Sequence, residues 1–297
     1  MQNLLKGLNE KQLEAVQTLE GPLLVMAGAG SGKTKALTHR IVHLINEQKA
    51  LPENILAVTF TNKAAKEMMN RIERLLVDSD VKTRPLLGTF HSICVKILRQ
   101  HLHELDMENS FVIYDSTDQQ ILVKRILKNL KIDDKKFNPK AILYAISQAK
   151  NQLIGPDEYL KSAFEYFNQK VAEVYVEYQK ELKRSNALDF DDIIMKTVEL
   201  FKDKPQILEY YQNRFKYISV DEYQDTNQAQ YILIRQLAAK YENLCVIGDS
   251  DQSIYSWRGA NMRNILDFEK DFPKAKVVLL EQNYRSTKNI LAAADKI

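Results

Sequence analysis

Cysteine is scarce in this chain. It has two, Cys94 and Cys245, each in an apolar segment with no metal-ligand spacing around it. That excludes a disulfide scaffold and a cysteine-held metal, and fits buried free thiols in a reducing compartment. Long apolar runs are missing too: nothing approaches the roughly 20 residues that cross a bilayer. The first residues carry no apolar signal core. A cytoplasmic protein with no membrane partner is expected. Charge of one sign is also lacking. Lys and Arg number 42 against 39 Asp and Glu, a net +3, so a nucleic-acid partner would need a local basic groove. Tryptophan occurs once, and residues 157–204 contain neither glycine nor proline. What is present, 297 residues of which 45% are hydrophobic, suffices for one large or two ordinary domains with a real core.

The chain is organised around residues 23–34, Leu-Leu-Val-Met-Ala-Gly-Ala-Gly-Ser-Gly-Lys-Thr. Residues 23–26 read as a buried strand, the glycines as a turn, and residues 36–45 as a helix-compatible segment. Strand, glycine loop, Lys-Thr and helix in that order is the setting in which a Walker A pattern is a phosphate site. Glycines let backbone N–H groups converge on an anion, and the helix N-terminus adds partial positive charge. Ala27, Gly28, Ala29, Gly30, Ser31 and Gly32 would form the cradle. Lys33 would reach the β- and γ-phosphates, and Thr34 would hold Mg²⁺. Ala27 stands where the pattern usually has its leading glycine. A plain glycine turn is the alternative, but it has no use for Lys-Thr at its exit.

Other strand ends gain meaning from this loop. Asn9 is placed to cap a helix with Leu13, Val16 and Leu19 on one face. Gln12 in that helix is either a solvated glutamine or an amide set to pair with an adenine edge. Residues 55–60 form a strand whose exit, Phe60-Thr61-Asn62, falls where α/β sheets bind ligands. Phe60 reads equally well as core. Residues 86–89 form a third strand, with Thr89 capping a helix whose first turn holds Phe90 and His91. Residues 217–220 run into Asp221-Glu222, a Walker B arrangement. Mg²⁺ needs few carboxylates because it keeps waters and phosphate ligands. Asp221 would meet the metal, and Glu222 would orient or deprotonate the attacking water.

Residues 244–249 are a further buried strand. The single tryptophan follows it: Trp257 lies two residues from Tyr255 and beside Arg258. Exposed aromatics next to arginine hold single-stranded nucleic acid, each stacked base contributing about 1–3 kcal/mol. A tryptophan tucked under a loop is the alternative. Residues 277–280 form the last strand, followed by Glu281-Gln282-Asn283-Tyr284-Arg285-Ser286. Arg285 reads as a finger to a γ-phosphate or as a surface arginine. Between residues 114 and 188 the strand–helix alternation stops. Phe164, Phe167, Val171, Val174, Tyr175 and Tyr178 recur at helical spacing and read as the core of a helical insert. Asp189, Asp191 and Asp192, around Phe190, read as helix-capping acids rather than a metal site.

In order, the chain carries Leu-Asn-x-x-Gln, Ala-Gly-Ala-Gly-Ser-Gly-Lys-Thr, Thr-Phe-Thr-Asn-Lys-Ala-Ala, Gly-Thr-Phe-His-Ser, Asp-Glu-Tyr-Gln-Asp, Gly-Asp-Ser-Asp-Gln-Ser-Ile-Tyr-Ser-Trp-Arg-Gly-Ala and Leu-Glu-Gln-Asn-Tyr-Arg-Ser. This series resembles superfamily 1 DNA helicases of the UvrD/Rep/PcrA kind over nearly the full chain, and alanine at position 27 also occurs among them. The resemblance implies an α/β fold: a RecA-like P-loop NTPase parallel sheet with helices on both faces and a mostly helical inserted subdomain. The first part of the ATPase domain would cover residues 1–113, the insert 114–190, the second part 191–280, and the start of a second RecA-like domain 281–297. It implies ATP-driven 3′→5′ movement on single-stranded DNA, action at single-strand/duplex junctions, and repair or replication-initiator proteins as partners. Gln12 and Arg40 would contact adenine, with Tyr284 stacking on it. Gln252 would sense the γ-phosphate and Arg285 would be the arginine finger. Phe60, Asn62, His91, Phe190, Tyr255, Trp257 and Arg258 look like the DNA track.

A motor of this kind needs two lobes closing on ATP. The chain alone is therefore expected to bind nucleotide weakly, hydrolyse it slowly and not unwind DNA. Two other readings stand beside the motor. One is an ATP-gated single-strand clamp without motor activity. The other is a helicase–nuclease subunit of the AddA/RecB kind, which typically carries Lys-Gln-Ser-Ile-Tyr-Arg-Phe where this chain has Asp251-Gln252-Ser253-Ile254-Tyr255-Ser256-Trp257.

Overall fold

Apolar runs of four or five residues bounded by turns become strands, and segments with 3.6-residue periodicity become helices. A computed structural model describes residues 4–77, 81, 83–249, 252, 263–287 and 290. Its elements begin with α1 (Glu10–Gln17), β1 (Leu23–Ala27), α2 (Lys33–Asn46), β2 (Ile55–Thr59), α3 (Asn62–Leu75), β3 (Leu86–Thr89) and α4 (Phe90–His101). Next come β4 (Val112–Ile113), α5 (Ser116–Asn129), α6 (Pro139–Asn151), α7 (Pro156–Ser162), α8 (Tyr166–Arg184), β5 (Ala187–Leu188), α9 (Phe190–Asp203) and α10 (Pro205–Arg214). The order closes with β6 (Tyr217–Val220), α11 (Gln228–Ala238), β7 (Leu244–Gly248), α12 (Arg263–Leu266), α13 (Phe268–Asp271) and β8 (Lys276–Leu280). The chain divides into two compact units. The first is Met1–Phe90, Glu209–Thr226 and Ile234–Ile297; the second is His91–Leu208 and Asn227–Leu233.

The first unit is built on a six-stranded sheet in the order β3-β2-β6-β7-β1-β8, with every pairing parallel. Its inner strands β2, β6 and β7 are buried at every residue. That is the pattern of a sheet covered on both faces. Leu23, Val25, Leu37, Ile41, Ile55, Met68 and Ile247 form one core between the sheet and its helices. The parallel arrangement brings the phosphate loop after β1, Phe60 after β2, Asp221 after β6 and Asp249 after β7 to the same carboxyl edge.

The second unit is mostly helical, with β4 and β5 as a two-stranded parallel ribbon. Leu122, Val123, Ile126, Ile142, Ile146, Val171, Val174, Tyr175 and Tyr178 make its core. Two aromatics expected in that core are not there. Phe164 precedes α8 and is 85% exposed, and Phe167, in the first turn of α8, only stacks on Phe137 at 6.1 Å. The helical spacing is right, but at these positions the face has not yet turned inward. The limits of this unit are set by packing, whereas the expected 114–190 were set by changes in sequence character: all of α4 but Phe90, and all of α9, go with the insert helices, and Cys94 of α4 is hydrogen-bonded to Thr197 of α9. Cys94 and Cys245 are both buried and free. Among the described residues no helix is long and apolar enough to cross a membrane.

Candidate nucleotide site

The phosphate loop takes its shape from two glycines. Gly30 and Gly32 sit at φ +71° and +88°, which side chains disfavour. Gly32 is also the N-cap of α2 and makes no side-chain cap, so the first N–H groups of a 14-residue helix are left for an anion. A Cβ on Gly32 would lie 2.6 Å from Gln12 Nε2, and one on Gly30 would lie 2.7 Å from Arg285 Cβ. Gly32→Ala should therefore destabilise the first unit. Backbone strain of about 1–2 kcal/mol adds to about 1 kcal/mol for a displaced Gln12 bond. Urea denaturation within 0.5 kcal/mol of the parent would show that the cradle tolerates a side chain.

Lys33 opens α2 and points at the acidic strand ends. Its Nζ lies 3.5 Å from Asp249 Oδ2 and 3.7 Å from Glu222 Oε2, and it is buried with no hydrogen-bond partner among the described residues. Thr34 follows as the second residue of α2. Asp221 leaves β6 buried, its N–H donating to the carbonyl of Val58 at 2.9 Å. Burial first, and the Glu222 charge second, push the Asp221 carboxyl up to about 6, against the pull of Lys33. A divalent cation there would compete with that proton. Glu222 has a left-handed backbone, φ +51°, uncommon for a non-glycine and typical of functional loops.

Two partners that sequence reading passed over hold this edge together. Gln224 is buried; its Nε2 donates to Glu222 Oε2 at 3.0 Å and its Oε1 accepts the Asp249 N–H at 3.0 Å. Asp249 in turn accepts from Gln252 Nε2 at 2.5 Å. One chain of polar contacts thus runs from Glu222 through Gln224 and Asp249 to Gln252 and Lys33. The only advance signal was the Gly-Asp exit of β7.

On the other flank, Gln12 completes a capping box with Asn9 and donates Nε2 to the Ser31 carbonyl at 2.8 Å. Its amide is spent on shaping the loop. Arg40 is buried, with Nε on the Thr18 carbonyl at 3.1 Å and Nη2 on that of Leu19 at 3.0 Å. These two bonds tie α2 to the turn after α1, and Arg40 Nη1 is buried with no hydrogen-bond partner among the described residues. The cation near Gln12 is Lys35, whose Nζ donates to the Gly7 carbonyl at 2.6 Å. Tyr284 is exposed, and its hydroxyl accepts from Asn9 Nδ2 at 2.7 Å. Ala27 ends β1 buried, while Gly28 and Ala29 are exposed at the loop tip and Ser31 Oγ is buried without a partner. The donor set suits a magnesium triphosphate: an unsatisfied ammonium, a glycine cradle, an uncapped helix and a carboxylate across from them.

The aromatic positions fall in pairs. In the first unit Phe60 meets Phe90 edge-on at 5.5 Å, and Asn62 is exposed at the start of α3. In the second, His91 meets Phe190 edge-on at 5.7 Å, and Phe190 is 50% exposed. Burial holds the His91 imidazole below its usual range, so at neutral pH it offers a ring and a hydrogen bond rather than a charge. Tyr255, Trp257 and Arg258 lie outside the described residues. Beneath Phe190 the capping reading of the acids holds: Asp189 caps α9 in a box with Asp192. Sequence reading missed their counter-ion. Lys150 of α6, fully buried, lies 2.6 Å from Asp189 Oδ2 and 2.8 Å from Asp192 Oδ1.

The family model of the UvrD/REP helicase N-terminal domain matches residues 8–273 of this chain. The protein named ATP-dependent DNA helicase PcrA of Staphylococcus aureus is 56% identical to it over 297 residues, which is 100% of this chain and 40% of that protein. The protein of the same name from Staphylococcus epidermidis shows the same 56% identity and the same 40% coverage. The chain thus spans 40% of the length of the curated relatives it matches.

Proposed function

Because this chain belongs to the UvrD/REP helicase family, we propose that it is the nucleotide-gripping part of an ATP-dependent DNA helicase that moves 3′→5′ on single-stranded DNA. The observation that carries this is the buried Lys33 ammonium, held between the carboxylates of Glu222 and Asp249 with no hydrogen bond to any of the described residues. In this reading the backbone of residues 27–32 and the start of α2 cradle the phosphates, and Lys33 binds the β- and γ-phosphates. Thr34 and Asp221 hold Mg²⁺, which supplies charge neutralisation at the phosphate oxygens. Glu222, steadied by Gln224, orients the attacking water and takes its proton. Gln252 senses the γ-phosphate through Asp249, Arg285 stabilises the charge that develops there, and Tyr284 stacks on adenine, with Gln12 beneath the loop. In this reading the ATPase core takes 1–113 and 191–280, the insert 114–190 and the second lobe begins at 281, limits that follow the sequence motifs rather than the packing units. Its place would be the cytoplasm, at junctions handled in repair or replication.

Phe60, Asn62, His91, Phe190, Tyr255, Trp257 and Arg258 form the DNA track in this reading. Single-strand binding by stacking gives a direct test. Phe190→Ala should weaken oligonucleotide affinity by about fivefold to a hundredfold, the equivalent of one stacked base, with the Asp189–Asp192 cap intact. Unchanged affinity in a polarisation titration would remove Phe190 from the track. Strand separation is assigned to two lobes acting together, so measurable unwinding by the 297-residue chain alone would contradict that part.

A further inference from the structure

The segment after β8 is fastened to the phosphate loop by two hydrogen bonds, one of them from a side chain that also folds the segment itself. Asn283 Nδ2 donates to the Ala29 carbonyl at 2.6 Å. Its Oδ1 accepts the N–H groups of Arg285 at 2.7 Å and Ser286 at 2.8 Å. The next residue joins in, with the Tyr284 N–H donating to the Gly30 carbonyl at 2.9 Å. The approach is close: a Cβ on Gly30 would stand 2.7 Å from Arg285 Cβ and 2.9 Å from Asn283 Oδ1. One amide thus grips the loop with its donor and folds the Arg285 backbone with its acceptor.

We propose that Asn283 is a positioning residue that sets Arg285 against the phosphate loop, so that the chain discriminates a nucleoside triphosphate from a diphosphate. The inference rests on the nucleotide-site reading and adds to it a residue that never touches the nucleotide. The Asn283 contacts lie at the protein surface, so Asn283→Ala should melt close to the parent.

The test is fluorescent-nucleotide titration of the 297-residue chain with a non-hydrolysable ATP analogue and with ADP, for Asn283→Ala, Arg285→Ala and the double variant. Asn283→Ala should bind the ATP analogue about tenfold more weakly, the scale of one or two lost hydrogen bonds, and bind ADP within about twofold. The double variant should be no weaker than Arg285→Ala, because Asn283 acts through that arginine. An equal loss for both nucleotides, or an additive double variant, overturns the positioning role alone. Failure of the unsubstituted chain to bind either nucleotide overturns the underlying site reading, and this inference with it.

Discussion

Lys33→Ala is expected to remove ATP-analogue binding by the chain, and DNA-stimulated turnover by any longer protein that contains it, while the fold survives. The ammonium makes no hydrogen bond among the described residues and stands 3.5 and 3.7 Å from two carboxylates. Its interactions in the absence of nucleotide are therefore modest. With a triphosphate in place it would meet the densest negative charge of the ligand. Losing one such preorganised contact lowers rates by on the order of 10²–10³. Removing the cation also leaves Glu222 and Asp249 facing the phosphates uncompensated, which adds repulsion to the lost attraction. Retained turnover in the variant would mean that Lys33 is a structural ion-pair partner and not a phosphate ligand.

The largest effect on stability is expected from Lys150→Met in the helical unit. Lys150 is fully buried, bridges Asp189 and Asp192, and packs over the Tyr178 ring at 5.1 Å. Tyr178 donates its hydroxyl to Asp189 Oδ2 at 3.0 Å, and Gln179 donates to Asp192 Oδ1 at 2.9 Å. Removing one member of a buried ion cluster typically costs about 3–5 kcal/mol, because the remaining charges lose their partner. Burial and the neighbouring Asp192 charge already push the Asp189 carboxyl up to about 7, despite Lys150. Burial also opposes ionisation of Asp192, but Lys150 and Gln179 prevail and hold it below the usual range.

Without the lysine, both carboxyls should hold their protons more tightly in the folded chain than in the unfolded one. The folded state then binds more protons, so the variant gains stability as pH falls. Its deficit against the parent should narrow as pH falls from neutral toward the ordinary carboxylate range. Adding Asp189→Asn and Asp192→Asn to Lys150→Met should recover part of the loss, since asparagine still caps a helix. A deficit independent of pH in urea denaturation would show that Lys150 contributes packing rather than charge.

How much of this could be read in advance depends on how local the information is. The phosphate loop and the Asp221-Glu222 pair are runs of adjacent residues whose strand and helix surroundings lie within a few positions, and both were legible. The Asn9–Gln12 cap and the Asp189 cap are equally local. Asn283 is not, because its partner Ala29 is 254 positions away. Gln224 and Lys150 escaped for the same reason. An amide in an acidic turn and a lysine on an amphipathic helix look like solvated side chains until the fold supplies Asp249, Asp189 and Asp192. Arg40, seven residues beyond Lys33, was named only through the family resemblance, and its ties to the carbonyls of Thr18 and Leu19 lie 22 and 21 positions upstream, where no local pattern shows them. Phe164 was misread because spacing gives the period of a helical face but not the residue at which the helix begins, and α8 starts two residues after it.

The account depends on a nucleotide being gripped from two sides, by the loop after β1 and by the acid at the end of β6. Calorimetric titration of the chain with an ATP analogue, run with Mg²⁺, with chelator, and with Asp221→Asn, tests this most directly. The expected result is a single saturable site whose affinity falls at least about tenfold on chelation and about as far on substitution, as befits one shared metal. Binding indifferent to both magnesium and Asp221 would contradict it.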